Sequence, residues 1–176
     1  MEQFIQDWGY IALFLYSFGG GMLAIAIGGV FAASGDLNIY FVISIAVISN
    51  FIGDQFLFFL ARNNKQYAKD MMQKYKRKIA YSHLLMRKYG SVVVFIQKYL
   101  YGVKTLIPLA MGLTKFDAKK FVVLNFLASI VWGLIVGLSA FYLGQVVIDS
   151  LEQFKEYAIV VILAIVLILL YFFKII

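Results

Sequence analysis

The sequence has no cysteine, a single proline, a single histidine and few charged residues. The lack of cysteine excludes disulfides, thiolate metal sites and cysteine nucleophiles. His83 alone cannot form a His-rich metal site, so we expect neither a metal nor another cofactor. Only 14% of the 176 residues are charged, whereas a soluble domain usually carries about a quarter. This composition argues against a soluble enzyme.

What the chain does have is apolar residues, which make up 63% of it and give a mean hydropathy of +0.87. A soluble core of this size cannot bury so much apolar surface. We therefore predict an all-α integral membrane protein whose residues 1–176 form a single membrane domain. The first residues include Glu2 and Asp7 but no basic residue, unlike the start of a cleavable signal peptide, so we expect them to be retained.

Three uninterrupted apolar runs predict spanning helices, at residues 38–61, 121–143 and 157–174. Each has about the 20 residues that are needed to cross the hydrocarbon core of a bilayer. Arg62 and Lys174 follow or close two of them, as interfacial anchors do.

Two other apolar runs, 10–35 and 91–113, contain helix breakers. Backbone that is freed by such residues is tolerated at membrane depth only inside protein or beside a wet cavity. We predict that each run is a re-entrant helical hairpin, and that the following residues break the hairpins or line a cavity: Gly20, Gly21, Tyr101, Gly102, Thr105 and Pro108. For the tyrosine, a place in the interfacial aromatic belt is the alternative.

The net charge of +7 is unevenly distributed. Nine of the sixteen basic residues lie between Arg62 and Lys88, and three more are Lys115, Lys119 and Lys120. A nucleic-acid surface is one explanation of such a cluster. In so apolar a chain the better explanation is the retention of basic residues in cytoplasmic loops. We therefore expect membrane lipids and no nucleic acid as partners, and leave homo-oligomer formation open.

The same charges distinguish two topologies. If 91–113 crossed the membrane, the basic residues before and after it would lie on opposite sides. If it enters and returns, all twelve share one side and the acidic residues near 149–156 lie on the other. The second arrangement predicts a multi-pass membrane protein whose basic loop 62–90 and C-terminus are cytoplasmic. Residues 63–90 are then an amphipathic helix on the lipid head groups, or a solvated loop helix.

Lys98 and Lys104 lie within an apolar run, where each costs about 2.5–3.5 kcal/mol at the centre of a spanning helix. A bend at Gly102 can bring both ammonium groups into one pocket, and two ammonium groups beside a helix N-terminus form a phosphate site. The alternative is snorkelling of both side chains to the interface.

Asp54 lies well inside the first spanning helix, where an unpaired carboxylate is unfavourable. We expect it to carry a proton or to pair with one of the two lysines, and the alternative is an ion pair with Arg62. Asn50 and Asn125 are expected to link helices through hydrogen bonds, and Trp132 to contribute packing.

A weak internal repeat supports two similar halves. With an offset of 80, Phe41, Val42, Ser49 and Gly53 fall on Phe121, Val122, Ser129 and Gly133. Inverted repeats with broken helices that meet near the midplane are a common plan among transporters.

These residues resemble the DedA family, part of the wider VTT (SNARE-associated, Tvp38-like) superfamily. The matching segments are AASGDLN at 32–38, GDQ at 53–55 and FIQKYLYGVKTLIPLAMGL at 95–113, followed by Phe121, Asn125 and Trp132. The resemblance implies two opposed re-entrant hairpins. It also implies transport of lipid phosphates, notably undecaprenyl phosphate, across the bacterial inner membrane with dependence on the proton gradient. The family's two arginines correspond to Lys98 and Lys104, and its acidic residue corresponds to Asp54.

The chain departs from the family pattern at three places. Gly20, Gly21 and Met22 stand where the family has a Pro-Gly-Glu turn, so a second carboxylate is missing. Both family arginines are lysines, which lack the planar fork that binds phosphate in a bidentate way. Tyr101 replaces a proline of the second hairpin.

The leading hypothesis is a flippase for lipid phosphates that performs no covalent chemistry. Eukaryotic members of the superfamily scramble phospholipids, so an ungated scramblase is the first alternative, and a membrane protein with a purely structural role is the second. A lipid phosphatase would need a nucleophile with an acid–base partner, and the sequence offers no such set.

Overall fold

The computed structural model describes residues 2–19, 21–66, 68, 70, 76–100 and 104–153. The described ranges contain helices and turns but no strand. The α-helices, in chain order, are α1 (Glu2–Phe18), α2 (Met22–Ala33), α3 (Ile39–Asn63), α4 (Lys76–Tyr89), α5 (Val93–Ile96), α6 (Leu106–Leu113) and α7 (Ala118–Gln153). Short 3-10 turns at Gly90–Val92 and Gln97–Tyr99 flank α5. The predicted spanning segment 157–174 lies outside the described residues.

Within these ranges, α3 and most of α7 are long and apolar enough to cross a membrane. Asn38 caps α3, since its Oδ1 accepts a hydrogen bond from the backbone N–H of Tyr40 at 2.9 Å. Asp117 caps α7 in the same way through the N–H of Lys120, at 2.7 Å. Helix α7 is longer than the predicted span because the residues after 143 continue it to Gln153 without a proline.

Helices α3 and α7 are antiparallel and in close contact. Phe58, near the end of α3, stacks on Phe121 at the start of α7 with ring centroids 4.1 Å apart. At the opposite end, Gly137 lies against Ile43, because the absence of a side chain lets the two helices approach closely.

Helices α1 and α2 form a hairpin. Helix α1 runs parallel to α3, since Tyr10 Oη accepts the Asn38 N–H and the Phe18 carbonyl lies against Gly53. Helix α2 runs parallel to α7, since Ile25 contacts Gly137 and α7 passes Ala33 further along. Because α3 and α7 are antiparallel, α1 and α2 are antiparallel too, and their tip lies near the middle of α3.

The break between them falls at residues 19–21. The Gly21 N–H donates to the Tyr16 carbonyl at 3.0 Å and closes the last turn of α1. A Cβ atom at Gly21 would lie 2.6 Å from that carbonyl oxygen, so this position requires glycine. Gly20 itself lies outside the described residues.

The second hairpin enters from the other end of the α3–α7 pair. Val93 packs in the cluster that contains Phe58 and Phe121, and Lys98 reaches the middle of α3 and α7. The chain then returns along α6 to Gly112, which again lies against Phe58. The two hairpins thus open at opposite ends of α3 and α7.

The second arm of each hairpin packs on the long helix of the other half. Helix α2 contacts α7, and α6 contacts α3. This exchange ties the two halves into one unit and is the arrangement of an inverted repeat.

Helix α4 belongs to the predicted amphipathic segment and lies at the end where the second hairpin opens. Ser82 and Leu85 are buried, whereas Arg77, Leu84 and Lys88 are exposed. Residues 67, 69 and 71–75 of this segment lie outside the described residues. His83 is exposed.

Candidate functional site

The faces of α3 and α7 that meet at mid-length are polar. Asn50 and Asp54 are four residues apart on α3, and Asn125 and Ser129 are four residues apart on α7. Residues at this spacing share one face of a helix. Since the two helices are in contact here, the four side chains converge on one point, which we call the polar centre.

Lys98 enters the polar centre from the 3-10 turn before the tip of the second hairpin. Its Nζ lies 2.6 Å from Asn50 Oδ1, 2.7 Å from Asp54 Oδ2, 2.7 Å from Asn125 Oδ1 and 2.8 Å from Ser129 Oγ. An ammonium group has three protons, so these four oxygens use all of its donors. Ser129 keeps its own proton for the Asn125 carbonyl, at 2.8 Å.

The contact between Lys98 and Asp54 is a buried ion pair, with side chains 0% and 4% exposed. The alternative prediction, an ion pair between Asp54 and Arg62, is wrong. Arg62 instead donates to three backbone carbonyls at the exit of the second hairpin, those of Gly112, Thr114 and Phe116.

Lys104 is the second buried lysine, and its environment differs. It is 7% exposed, and its Nζ lies 4.9 Å from the centre of the Trp132 ring, a cation–π contact. Among the described residues its ammonium group has no hydrogen-bond partner. Since Lys98 is also only 2% exposed, neither lysine extends to the molecular surface, which argues against snorkelling.

Other buried polar atoms around the polar centre also lack partners within the described ranges. They are Asn50 Nδ2, both polar atoms of the Gln97 side chain and Trp132 Nε1. Buried polar groups normally have a hydrogen-bond partner, so a group of unpaired donors and acceptors marks a place where a polar ligand or water fits.

The remaining residues proposed from the sequence occupy different places. Gly21 caps α2 at the tip of the first hairpin, Thr105 is exposed just before α6, and Pro108 is buried within α6. Tyr101 and Gly102 lie outside the described residues. The structure therefore brings Asp54, Lys98 and Lys104 close together, and leaves the cavity-lining role of the others a prediction.

Sequence reasoning missed the part that neutral side chains play. Asn50 and Asn125 were expected to link helices, and this is confirmed, since Asn125 Nδ2 donates to the Phe51 carbonyl at 3.2 Å and Asn50 Oδ1 accepts from Ser129 Oγ at 3.4 Å. Their amide oxygens also bind Lys98, which was not expected, and Ser129 had no assigned role beyond the repeat. The available signal was the i, i+4 spacing of polar residues on both spanning helices. Trp132 does pack in the core, and its ring also contacts Lys104.

A cavity with a volume of about 940 Å³ lies between the two arms of the first hairpin, from Trp8 to the glycine turn. Its lining is almost wholly apolar, with residues such as Leu15, Leu23 and Ile27. A cavity of this character fits hydrocarbon better than a charged head group.

Comparison with known proteins agrees with this architecture. The VTT domain model matches residues 11–145. The inner membrane protein YohD of Escherichia coli (strain K12) is 27% identical over 171 residues, which cover 96% of this chain and 89% of that protein. Undecaprenyl phosphate transporter A of Bacillus subtilis (strain 168) is 30% identical over 155 residues, which cover 85% of this chain and 78% of that protein.

No solved structure matches the chain. Neither relative is named as an enzyme. Since the domain match covers most of the sequence, the chain belongs to the DedA family of VTT-domain membrane proteins.

Proposed function

We propose that this protein moves lipid phosphates across the membrane and that undecaprenyl phosphate is its first candidate substrate. The observation that carries the proposal is the Lys104 ammonium group, which is buried and lacks a hydrogen-bond partner among the described residues. A buried cation without a partner is unfavourable, so the site favours an anion. The name of the Bacillus subtilis relative supports a lipid phosphate as that anion.

The two lysines have different roles in this proposal. Lys104 provides the first contact for the phosphate, because its donors are free of protein acceptors in the described structure. Lys98 binds Asp54 and three neutral oxygens, so it holds α3 and α7 together at the polar centre while Asp54 is ionised. Protonation of Asp54 weakens this hold and makes Lys98 a second phosphate ligand. No covalent step is required.

The position of the polar centre at mid-length of α3 and α7 supports a site near the bilayer midplane. We propose that both hairpins are re-entrant and enter from opposite sides, because their open ends lie at opposite ends of α3 and α7. Basic residues concentrate at the end where the second hairpin opens, including Arg62, Lys65, Arg87, Lys88, Lys115 and Lys119. The positive-inside rule makes that end cytoplasmic in an inner membrane.

A lipid fits the molecule better than a free anion. The apolar cavity of the first hairpin, about 940 Å³, ends at its tip beside Gly21. The Phe18 carbonyl at the same tip lies against Gly53, the neighbour of Asp54. A hydrocarbon tail in the cavity or in the surrounding bilayer can therefore remain in an apolar medium while its phosphate lies at the polar centre.

The test is transport by the purified full-length protein in liposomes that carry undecaprenyl phosphate, with and without a pH gradient. We expect Lys104→Ala to lower translocation at least tenfold and Lys104→Arg to retain most of it, since a cation is preserved. Lys115→Ala, at an exposed position, is the matched control and should behave as the native protein does. Unchanged transport by Lys104→Ala would overturn the proposal.

An ungated scramblase remains the second candidate, and the first position of α2 favours it. Met22 stands there, half-exposed, where the family pattern has a glutamate. With one carboxylate fewer, the site has one proton carrier fewer. Transport of phosphatidylcholine as fast as undecaprenyl phosphate, indifferent to the pH gradient, would identify the scramblase.

A further inference from the structure

The membrane-embedded part of the chain contains few ionisable charges. Across residues 8–35, 37–61, 89–114 and 121–148 the only acidic or basic side chains are Asp54, Lys98 and Lys104. Two cations thus share the interior with one anion. The count comes from the sequence alone, so it includes positions that the structure does not describe.

The contacts of the three side chains show which charges compensate one another. Asp54 and Lys98 neutralise one another through a 2.7 Å contact, which leaves Lys104 as the uncompensated charge. The other side chains that face the pair from α3 and α7 are neutral, namely Asn50, Asn125, Ser129 and Trp132. Helix α6 has no ionisable residue, and Tyr99 of the 3-10 turn is exposed. The polar centre therefore carries one net positive charge while Asp54 is ionised.

We infer that the polar centre selects a phosphate group carrying a single negative charge, and takes a doubly charged phosphate only together with one proton. The inference rests on the proposed function and specifies the ionic form of its substrate. In a low-dielectric interior an uncompensated charge of either sign is unfavourable, so a ligand with one negative charge leaves the filled site neutral.

Two classes of lipid phosphate differ in this respect. A phosphodiester head group has one negative charge on its phosphate throughout the neutral pH range. A phosphomonoester loses its second proton at a pH of about 6 and is mainly doubly charged above it. To bind as a neutral complex, the monoester has to keep that proton, or Asp54 has to take one from solvent. Either way, one proton enters with each doubly charged ligand.

The experiment measures proton uptake by calorimetry in two buffers of different ionisation enthalpy. The full-length protein is kept in maltoside micelles, which contain no phosphate, and titrated at pH 8 with dioctanoyl phosphatidylglycerol or dioctanoyl phosphatidic acid. We expect the uptake of about one proton more per phosphatidic acid than per phosphatidylglycerol. The affinity for phosphatidic acid should therefore fall more steeply with pH above pH 7 than the affinity for phosphatidylglycerol.

Two variants test the charge count directly. Asp54→Asn raises the net charge of the polar centre by one, so phosphatidic acid should bind at pH 8 with no more proton uptake than phosphatidylglycerol causes in the native protein. Lys104→Gln makes the centre neutral and should abolish binding of both ligands. Arg87→Gln removes an exposed positive charge far from the centre and should change neither result.

The outcomes separate this inference from the proposed function. Tight binding of phosphatidic acid at pH 8 with no more proton uptake than phosphatidylglycerol causes would overturn the charge selection while leaving lipid-phosphate transport intact. Retained binding by Lys104→Gln would also overturn it. Failure of both lipids to bind the native protein would overturn the charge selection and the proposed function together.

Discussion

Two lysines six residues apart have opposite surroundings in this protein. The ammonium group of Lys98 contacts four oxygens, whereas that of Lys104 rests on an aromatic ring and lacks a partner among the described residues. The first is therefore part of what holds the helices together, and the second is available to a ligand. Stability and ligand binding thus depend on different lysines.

This separation predicts different effects of the two alanine substitutions. Lys98→Ala leaves Asp54 buried without its cation and should lower the free energy of unfolding by about 3–5 kcal/mol. Lys104→Ala removes a cation that has no hydrogen-bond acceptor among the described residues, so it should cost much less stability than Lys98→Ala does. Thermal unfolding in detergent, followed by circular dichroism, measures both.

The double variant Lys98→Ala with Asp54→Ala serves as the control, because it removes both charges of the pair. It should recover part of the stability that Lys98→Ala loses. An equal loss of stability from Lys98→Ala and Lys104→Ala would contradict the assignment.

At the scale of elements, glycines set how closely the hairpins approach the long helices. A Cβ atom at Gly53 would overlap the Phe18 carbonyl oxygen at the tip of the first hairpin, and one at Gly112 would overlap the Phe58 carbonyl oxygen. These contacts bring the end of α1 and the last turn of α6 directly against α3.

Gly53→Ala is therefore expected to destabilise the protein by about 1–3 kcal/mol, since the hairpin has to move away from α3. Gly19→Ala is the matched control in the same region, because a Cβ atom there would lie 3.9 Å from its nearest neighbour, the Tyr16 carbonyl oxygen. Melting temperatures of the two variants compare them directly. A melting temperature for Gly53→Ala equal to that of Gly19→Ala would show that the close approach is not needed.

Arg62 links the end of α3 to the exit of the second hairpin through the carbonyls of residues 112, 114 and 116. Arg62→Gln should cost about 2 kcal/mol, because charge-assisted hydrogen bonds are lost at a partly buried position. It should also speed backbone hydrogen exchange across residues 112–118. Arg87→Gln, which removes an exposed arginine, is expected to change neither, and slow exchange at 112–118 in Arg62→Gln would count against the link.

At the scale of the whole molecule, the two opposed hairpins and the charge distribution predict one cytoplasmic end. The chain has no cysteine, so a single introduced cysteine reports the side of the membrane on which it lies. Lys65→Cys and Lys119→Cys should react with an impermeant maleimide only from the cytoplasmic side. Asp36→Cys should react only from the other side. Labelling of the two lysine positions from opposite sides would show that the second hairpin crosses the membrane.

Much of the architecture was predictable from local sequence. Segments 38–61 and 121–143 were expected to span because of their length and apolarity, and α3 and α7 cover both. Family membership followed from short segments such as 95–113, and the domain match confirms it. The helix that contains segment 121–143 extends beyond it at both ends, from Ala118 to Gln153.

What the sequence by itself determined was the inventory: a helical membrane protein with three charges in its interior, because hydropathy and breakers are properties of neighbouring residues. Only the tertiary structure decided which charges pair. Lys98 and Asp54 are 44 positions apart, and their contact depends on the second hairpin turning back between two antiparallel helices. Which charges pair is set by the packing of distant segments. Only the folded structure therefore distinguishes Lys98, whose donors are all used, from Lys104, whose donors can bind a ligand.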